Sequence, residues 1–209
     1  MSINLWTSSE HALDYLSRAD SIPHRVEGEA ALLEFISPTV RRILDLGTGD
    51  GRLLGLIKLD HPEAAAVAID FSPAMLEAAR KRFGGDSSVT VVAHNLDHPL
   101  PELGKFDAVV SSFAIHHLTH ERKRELYVEV YRMLNPDGVF CNLEHVSSPT
   151  REMHDEFLRR IGSTPETEDP SNKLLEMETQ LVWLREIGFT DVDCSWKWRE
   201  LALLEGRKR

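Results

Sequence analysis

Short apolar runs alternate with amphipathic stretches through the middle of the chain. Ile43-Leu44-Asp45-Leu46 is an apolar run that opens into three alternating glycines, Gly47, Gly49 and Gly51. Leu53, Leu54, Ile57 and Leu59 follow. The pattern predicts a buried strand, a tight turn and a helix start. A second apolar strand is expected over Ala64–Asp70, a third over Val89–Ala93, a fourth over Phe106–Ser112 and a fifth over Val139–Leu143. Between them, Ser72-Pro73 reads as an N-cap and first helical position. The helix it starts turns Met75, Leu76, Ala79 and Phe83 inward. Thr119 caps a further helix with Leu126, Val130 and Leu134 inside, and Asn135-Pro136-Asp137-Gly138 predicts a turn. Strands alternating with helices over residues 43–144 predict a parallel α/β sheet.

The flanks are less regular. Ala12, Leu13, Tyr15 and Leu16 fit one face of a short helix that starts near Ser8 or Ser9. A turn over Ser21–Arg25 leads to a helix over 27–36, with Ala30, Leu33 and Ile36 on one side and Pro38 after it. Beyond residue 144 the alternation breaks. A helix near 151–161, an acidic Pro-containing loop over Gly162–Asn172 and a helix from about 173 to Gly188 are expected. So long a connection is usually functional or mobile. Phe189–Trp196 alternates like a strand, and Leu201–Leu204 reads as the last one. No repeat, low-complexity segment or linker interrupts the chain, so one domain is expected over 1–209.

Composition narrows the function classes. The chain has 209 residues, 42% hydrophobic and 28% charged, as in a soluble globular protein. A net charge of -10 argues against nucleic acid as the main partner, because phosphate binding needs a basic face. The two cysteines, Cys141 and Cys194, lie far apart without metal-ligand spacing, and a reducing cytoplasm is the expected location. No signal peptide or membrane-spanning run is visible.

In parallel α/β sheets, ligands lie beyond the carboxyl ends of the strands. The glycine loop, Asp70, Asn95 and the run Ser112–His117 all fall at such ends. The glycine spacing is not that of a dinucleotide fingerprint: Arg52 stands where the third glycine belongs, and no Gly-Lys-Ser/Thr follows. Asp70, 21 residues after Gly49, can accept bonds from two ribose hydroxyls, and Phe71 can lie against a base.

The sequence Asp-x-Gly-x-Gly-x-Gly over 45–51 resembles the first motif of class I S-adenosylmethionine (SAM) dependent methyltransferases. Phe106–Val110 resembles their fourth motif, and the Pro-Asp-Gly turn before an apolar strand is also similar. Leu184-x-x-Ile187-Gly188-Phe189-x-x-Val192 resembles the stretch before their late hairpin. The likeness is specific over about 40–145 and looser over 180–205.

The resemblance implies a three-layer Rossmann-like fold of about seven strands, mostly parallel with a late antiparallel hairpin strand. An N-terminal helical cap over 1–37, a SAM-binding core over 38–145, a substrate-side helical insertion over 146–180 and a C-terminal helix and hairpin over 181–209 would make up the domain. SAM contacts are expected from Asp45, Gly47, Thr48, Gly49, Gly51, Asp70, Phe71, Met75, Asn95, Leu96 and Ser112. Asn95 departs from the family, which commonly has an acid there to accept from the adenine amine. Its amide oxygen can still accept, and Asp97 is the alternative.

The implied reaction moves a methyl group to an oxygen or nitrogen of a small-molecule acceptor. His116 and His117 are the candidate bases, and Glu144 with His145 forms a second pair. Tyr15, Arg25 and His145 are candidate substrate contacts, with Trp6 and His24 as further candidate ligand contacts. No metal and no membrane partner is expected, and the oligomeric state stays open. Ser111-Ser112-Phe113-Ala114 stands where base amino methylators carry Asn/Asp-Pro-Pro-aromatic. A non-catalytic SAM-fold module, a protein-directed methyltransferase and a nicotinamide-dependent oxidoreductase are the rival readings.

Overall fold

The computed structural model describes Trp6, Ser8, Glu10 and residues 22–209. Seven strands form one sheet: β1 (Arg42–Leu46), β2 (Ala65–Asp70), β3 (Val89–Ala93), β4 (Phe106–Ser112), β5 (Leu134–His145), β6 (Thr190–Trp198) and β7 (Leu201–Arg207). The helices are α1 (Arg25–Leu33), α2 (Arg52–Asp60), α3 (Pro73–Phe83), α4 (His120–Met133), α5 (Arg151–Arg160) and α6 (Met177–Ile187). The strand order is β3-β2-β1-β4-β5-β7-β6. β7 runs antiparallel to both β5 and β6, and the other pairs are parallel. The order reverses between β1 and β4, where a crevice opens at the strands' carboxyl ends.

Strands β1, β2 and β4 are buried on both faces, which explains their continuous apolar runs. One core layer joins Ile43, Ala66, Val110 and Leu143 to Leu32, Leu54 and Ile57 from α1 and α2. The other joins Leu44, Ile69, Val109 and Phe140 to Leu126, Val130 and Leu184 from α4 and α6. The edge strand β6 keeps the alternation seen in the sequence, half-buried inside and exposed outside.

Several boundaries move. The first described helix covers Arg25–Leu33 instead of 27–36, and α6 starts at Met177 instead of near 173. Segment 172–176 is used as a strap, with Lys173 N–H donating to the His116 carbonyl and Ser147 N–H to that of Leu175. β5 starts at Leu134 and takes the Asn135–Gly138 turn into the strand through a register shift against β4. β7 continues to Arg207 because it pairs along β5 as far as Val139. Gly188 does end α6 in the left-handed conformation, and Thr119 does cap α4 by accepting the Arg122 N–H. Ser72 does not cap α3 with its side chain; Asp70 Oδ1 accepts the Ser72 N–H instead. The helix expected around Ala12–Leu16, with Tyr15, lies outside the described residues.

Candidate active site

A cavity of about 410 Å³ opens at the carboxyl ends of β1 to β4. Asp45, Gly47, Thr48 and Gly49 line it from the loop after β1. Asp70 and Phe71 line it from the end of β2, Met75 from the first turn of α3, Asn95 and Leu96 from the loop after β3, and Ser112 from β4. Trp6, Arg25, Phe113, His117, Ser171 and Lys173 form the other side.

The glycine loop has its shape for steric reasons. Gly47 sits at φ 67°, and a Cβ there would lie 2.2 Å from Ala114 Cβ. This close approach seats the loop after β1 against the loop after β4. Thr48 Oγ1 donates to Asp45 Oδ2 at 2.6 Å, and the Thr48 N–H reaches the Ile69 carbonyl. Gly51 also has positive φ, but its missing Cβ makes room for the ring of Phe83, 2.3 Å from where that atom would stand. Gly51 is not among the cavity-lining residues; its place is the packing of α2 against α3.

Two buried carboxylates face the cavity. Burial raises Asp45 to a pKa of about 7, against the opposing bond from Thr48. Its Oδ1 has no hydrogen-bond partner among the described residues. Asp70 is also raised by burial, opposed by backbone N–H groups. Its Oδ2 accepts from Gly49 N–H at 2.9 Å and its Oδ1 from Ser72 N–H at 2.8 Å.

Asn95 Oδ1 accepts the Asp97 N–H at 2.9 Å, which fixes the turn after β3. That turn is held from behind by Arg122, whose guanidinium donates to the carbonyls of Leu96 and His98 and to both oxygens of Glu129.

The two adjacent histidines part company. His117 lines the cavity, its ring 5.3 Å from that of Trp6, and its Nδ1 lies 2.9 Å from Ser171 Oγ. Burial first, and then neighbouring His116, holds it well below the ordinary histidine pKa. His116 is turned away, with Nδ1 3.0 Å from Glu144 Oε1, and does not line the cavity. Its pKa is lowered by burial and then by His145 and Lys123. Glu144 is fully buried and raised by burial; it also accepts from Asn142 Nδ2 and the His145 N–H.

His145, expected at the substrate, stands outside the lining. Its Nε2 meets buried Glu200 at 2.9 Å, and the same carboxylate binds His154. His145 at the end of β5 pairs with Leu201 at the start of β7, next to Glu200 in the turn between β6 and β7, so the imidazole is drawn toward it. His24 also lies off the cavity, exposed, paired with Glu27 and packed on Trp198. Arg25 does line it, with Nε donating to Glu29 Oε1, which Arg52 shares.

The sequence reading did not single out Ser171 and Lys173, which line the cavity, or Arg122 and Lys123, which brace the loops around it. Lys123 is buried and donates to the carbonyls of His116, Leu118 and Lys173, with its pKa lowered by burial to about 8. Arg122 and Lys123 lie in the first turn of α4, where the helix dipole disfavours cations. That misplacement was the available signal. Ser171 and Lys173 had none, since only tertiary folding brings their loop to His117.

Among the described residues no cluster suits a metal ion, and no helix is long and apolar enough to cross a membrane.

A methyltransferase domain family matches residues 43–138. An uncharacterized methyltransferase of Bacillus licheniformis is 30% identical over 158 residues, 72% of this chain and 72% of that protein. A demethylmenaquinone methyltransferase of Clavibacter sepedonicus is 32% identical over 73% of this chain and 66% of its own length. An N-methyltransferase structure from Bradyrhizobium japonicum, in complex with S-adenosyl-L-homocysteine, shares the fold with a TM-score of 0.72 at 21% identity, covering 99% of each chain. A seven-stranded, mostly parallel sheet with a late antiparallel hairpin, the glycine loop joined to Asp70 and a relative this similar over most of both lengths agree: the chain belongs to the class I SAM-dependent methyltransferases.

Proposed function

We propose that this chain transfers the methyl group of SAM to an oxygen or nitrogen of a small-molecule acceptor, with His117 as the base. The observation that carries the reading is that a neutral imidazole shares one cavity with Asp45, Asp70 and the glycine loop.

The residues present fit SAM. Asp45 Oδ1 is a buried acceptor without a partner among the described residues, which suits a cationic or N–H-bearing ligand. Each oxygen of Asp70 spends one lone pair on the backbone and keeps another, as two ribose hydroxyls require. Phe71 offers a face to the base, and Asn95 Oδ1 has a second lone pair beside its bond to Asp97. Bound SAM would supply an electrophilic methyl on a sulfonium.

The chain's own part is to orient, dry and deprotonate. Trp6, Phe113 and Leu118 wall the cavity with apolar surface and exclude water. His117, neutral at pH 7, takes the proton of an O–H or N–H acceptor. Arg25 and Lys173 give that side cationic groups. The net charge of -10 favours a small acceptor over nucleic acid.

The test has two stages. Calorimetric titration with SAM, S-adenosylhomocysteine and NAD, on wild type and Asp70→Ala, should show binding of the first two, weakened in the variant. Labelled methyl transfer across phenols, carboxylic acids and amines should then give a labelled small product. Binding of NAD alone, or label found only in protein or nucleic acid, would overturn the proposal.

A further inference from the structure

His154 of α5 has a carboxylate at each ring nitrogen. Nδ1 lies 3.0 and 3.2 Å from the two oxygens of Glu200, in the turn between β6 and β7. Nε2 lies 3.1 Å from Glu168 Oε2, in the loop between α5 and α6. An ionised carboxylate can only accept, and a neutral imidazole has one N–H to give. The neutral ring would therefore turn a lone pair on one of the two carboxylates. The imidazolium satisfies both. Burial opposes the charged ring, but the bonds to Glu200 and Glu168 outweigh it and raise His154 above the ordinary histidine pKa.

The two partners differ in freedom. Glu200 has no exposure and also meets His145 Nε2 at 2.9 Å, from the end of β5. Arg199, beside Glu200, reaches Glu156 of α5 at 3.6 Å. On α5 itself the charged neighbours of His154 are Arg151 and Asp155. Glu168 is 22% exposed and belongs to residues 162–171, the loop ahead of the strap. Its Oε1 accepts from Asn172 Nδ2 at 3.2 Å, and Asp169 Oδ1 accepts the Ser171 N–H at 2.8 Å. Ser171, 4% exposed, is the residue this loop puts into the cavity wall, with Oγ 2.9 Å from His117 Nδ1. One end of the loop is Gly162, at φ 74° with nothing within 4 Å of where a Cβ would stand. The other is pinned beyond it by Lys173, which donates to the carbonyls of His116 and His117. Between a glycine pivot and that pin, Glu168 is the loop's hold on α5.

We propose that His154 is a positioning residue, an imidazolium clasp that seats the loop over 162–171, and with it Ser171, against the cavity, and that loss of its proton frees the loop. The N–H that remains stays with Glu200, which meets Nδ1 through both oxygens and cannot turn to water. Nε2 then offers Glu168 a lone pair, and Glu168 can turn to solvent. A group whose pKa is raised in the seated state stabilises that state fully in acid solution, and the contribution is lost as pH rises through the raised midpoint. The seating equilibrium should fall about tenfold for each pH unit between the midpoints of the seated and the released imidazole. His154, Glu168 and Glu200 all lie outside residues 43–138, the part matched by the methyltransferase domain family. The bearing of the clasp on turnover, through Ser171 and His117, rests on the reading above; the clasp itself does not.

The experiment follows two signals of the ¹⁵N-labelled protein across pH. One is the pair of His154 ring nitrogens in a long-range ¹H–¹⁵N spectrum. The other is the exchange protection of the Ser171 N–H relative to its intrinsic rate. The expected result is a proton on both nitrogens in acid solution and a midpoint above the ordinary histidine value. Ser171 protection should fall in step with that midpoint while the Val110 N–H of β4 keeps its own. Glu168→Gln, whose amide can donate to Nε2 or accept from it, should lower the midpoint and uncouple Ser171 protection from the His154 proton. A wild-type midpoint at or below the ordinary value overturns the proposal, and so does Ser171 protection that is unchanged across it or lost together with that of Val110. The same pH step in Glu168→Gln also overturns it, and if that variant does not fold, wild type still decides. S-adenosylhomocysteine titrated into the same samples separates the two readings. Absence of that binding in wild type at every pH would count against the methyltransferase proposal and leave the clasp result standing by itself.

Discussion

Asp70 Oδ2 accepts the backbone N–H of Gly49 at 2.9 Å, which ties the acid at the end of β2 to the loop after β1. With Ser72 N–H on Oδ1, the carboxylate is oriented from two sides and needs no reorganisation to take a diol. Asp70→Ala removes the ribose acceptor and both backbone bonds. A hydrogen bond to a charged group is worth about 2 kcal/mol, or about 30-fold in Kd. Asp70→Asn should cost a similar amount, because its NH2 would face a backbone N–H. Calorimetry with SAM and S-adenosylhomocysteine checks this, and a threefold or smaller change in both variants would refute it.

Asp45 gives a pH-dependent prediction. Its carboxyl is raised to about 7, above its value in an unfolded chain, so the folded protein binds the extra proton between about pH 4 and 7. The contribution of Asp45 to stability therefore falls as pH rises through that window, and the penalty is complete above 7. Asp45→Asn removes it: the ligand-free variant should melt higher than wild type at pH 8 and equally at pH 4. A cationic ligand favours the ionised form. SAM should then bind about tenfold tighter per pH unit up to 7 and level off beyond, while Asp45→Asn loses that slope. Proton release, measured by titration in buffers of different ionisation enthalpy, is the check.

The parts of this molecule that were legible in the sequence are those set by local rules. Apolar runs buried on both faces gave the central strands, and the glycines gave the turn after β1. Strand ends, the 21-residue spacing from Gly49 and the family resemblance pointed to Asp70 and Asn95, and both line the cavity. What local rules cannot express was missed or misjudged. His116 and His117 are adjacent and chemically identical, yet a 3-10 turn over Ile115–His117 sends one to the cavity and the other to Glu144. Gly51 looked like a ligand-binding glycine because spacing does not reveal Phe83 above it. His145 was drawn off by Glu200, 55 residues away in the chain. Arg122 was not singled out in the sequence, since its role depends on carbonyls from the loop after β3.

The glycines of the loop should not be equivalent. Gly47→Ala would place a methyl 2.2 Å from Ala114 Cβ at φ 67°. Left-handed strain and overpacking together should cost about 3 kcal/mol. Gly49→Ala, at φ 57°, meets only Met75 Sδ at 3.9 Å, so strain alone applies, about 1 kcal/mol. Urea midpoints of the two variants measure the difference, and equal losses would show that Ala114 yields. The double change Gly47→Ala with Ala114→Gly should recover the overpacking part and leave the strain.

The histidine pair separates catalysis from stability. His117→Gln removes the base from the cavity while the Asp45 and Asp70 contacts remain, so SAM affinity should hold and kcat should fall about 100-fold or more. His116→Gln acts elsewhere. It takes the Nδ1 partner from Glu144, a carboxyl with no exposure, and should cost about 2 kcal/mol of stability with a smaller effect on turnover per folded molecule. Both imidazoles are held below the ordinary histidine pKa, so the unfolded chain binds more protons once the pH drops below about 6.5. The contribution of the histidine pair to stability should therefore decline on acidification from that point, opposite in sign to that of Asp45. For the same reason, kcat should stay flat through pH 7 and 6.5 and fall only in more acid solution, where His117 takes a proton. A half-maximal rate at or above pH 6.5 would mean that another group is the base.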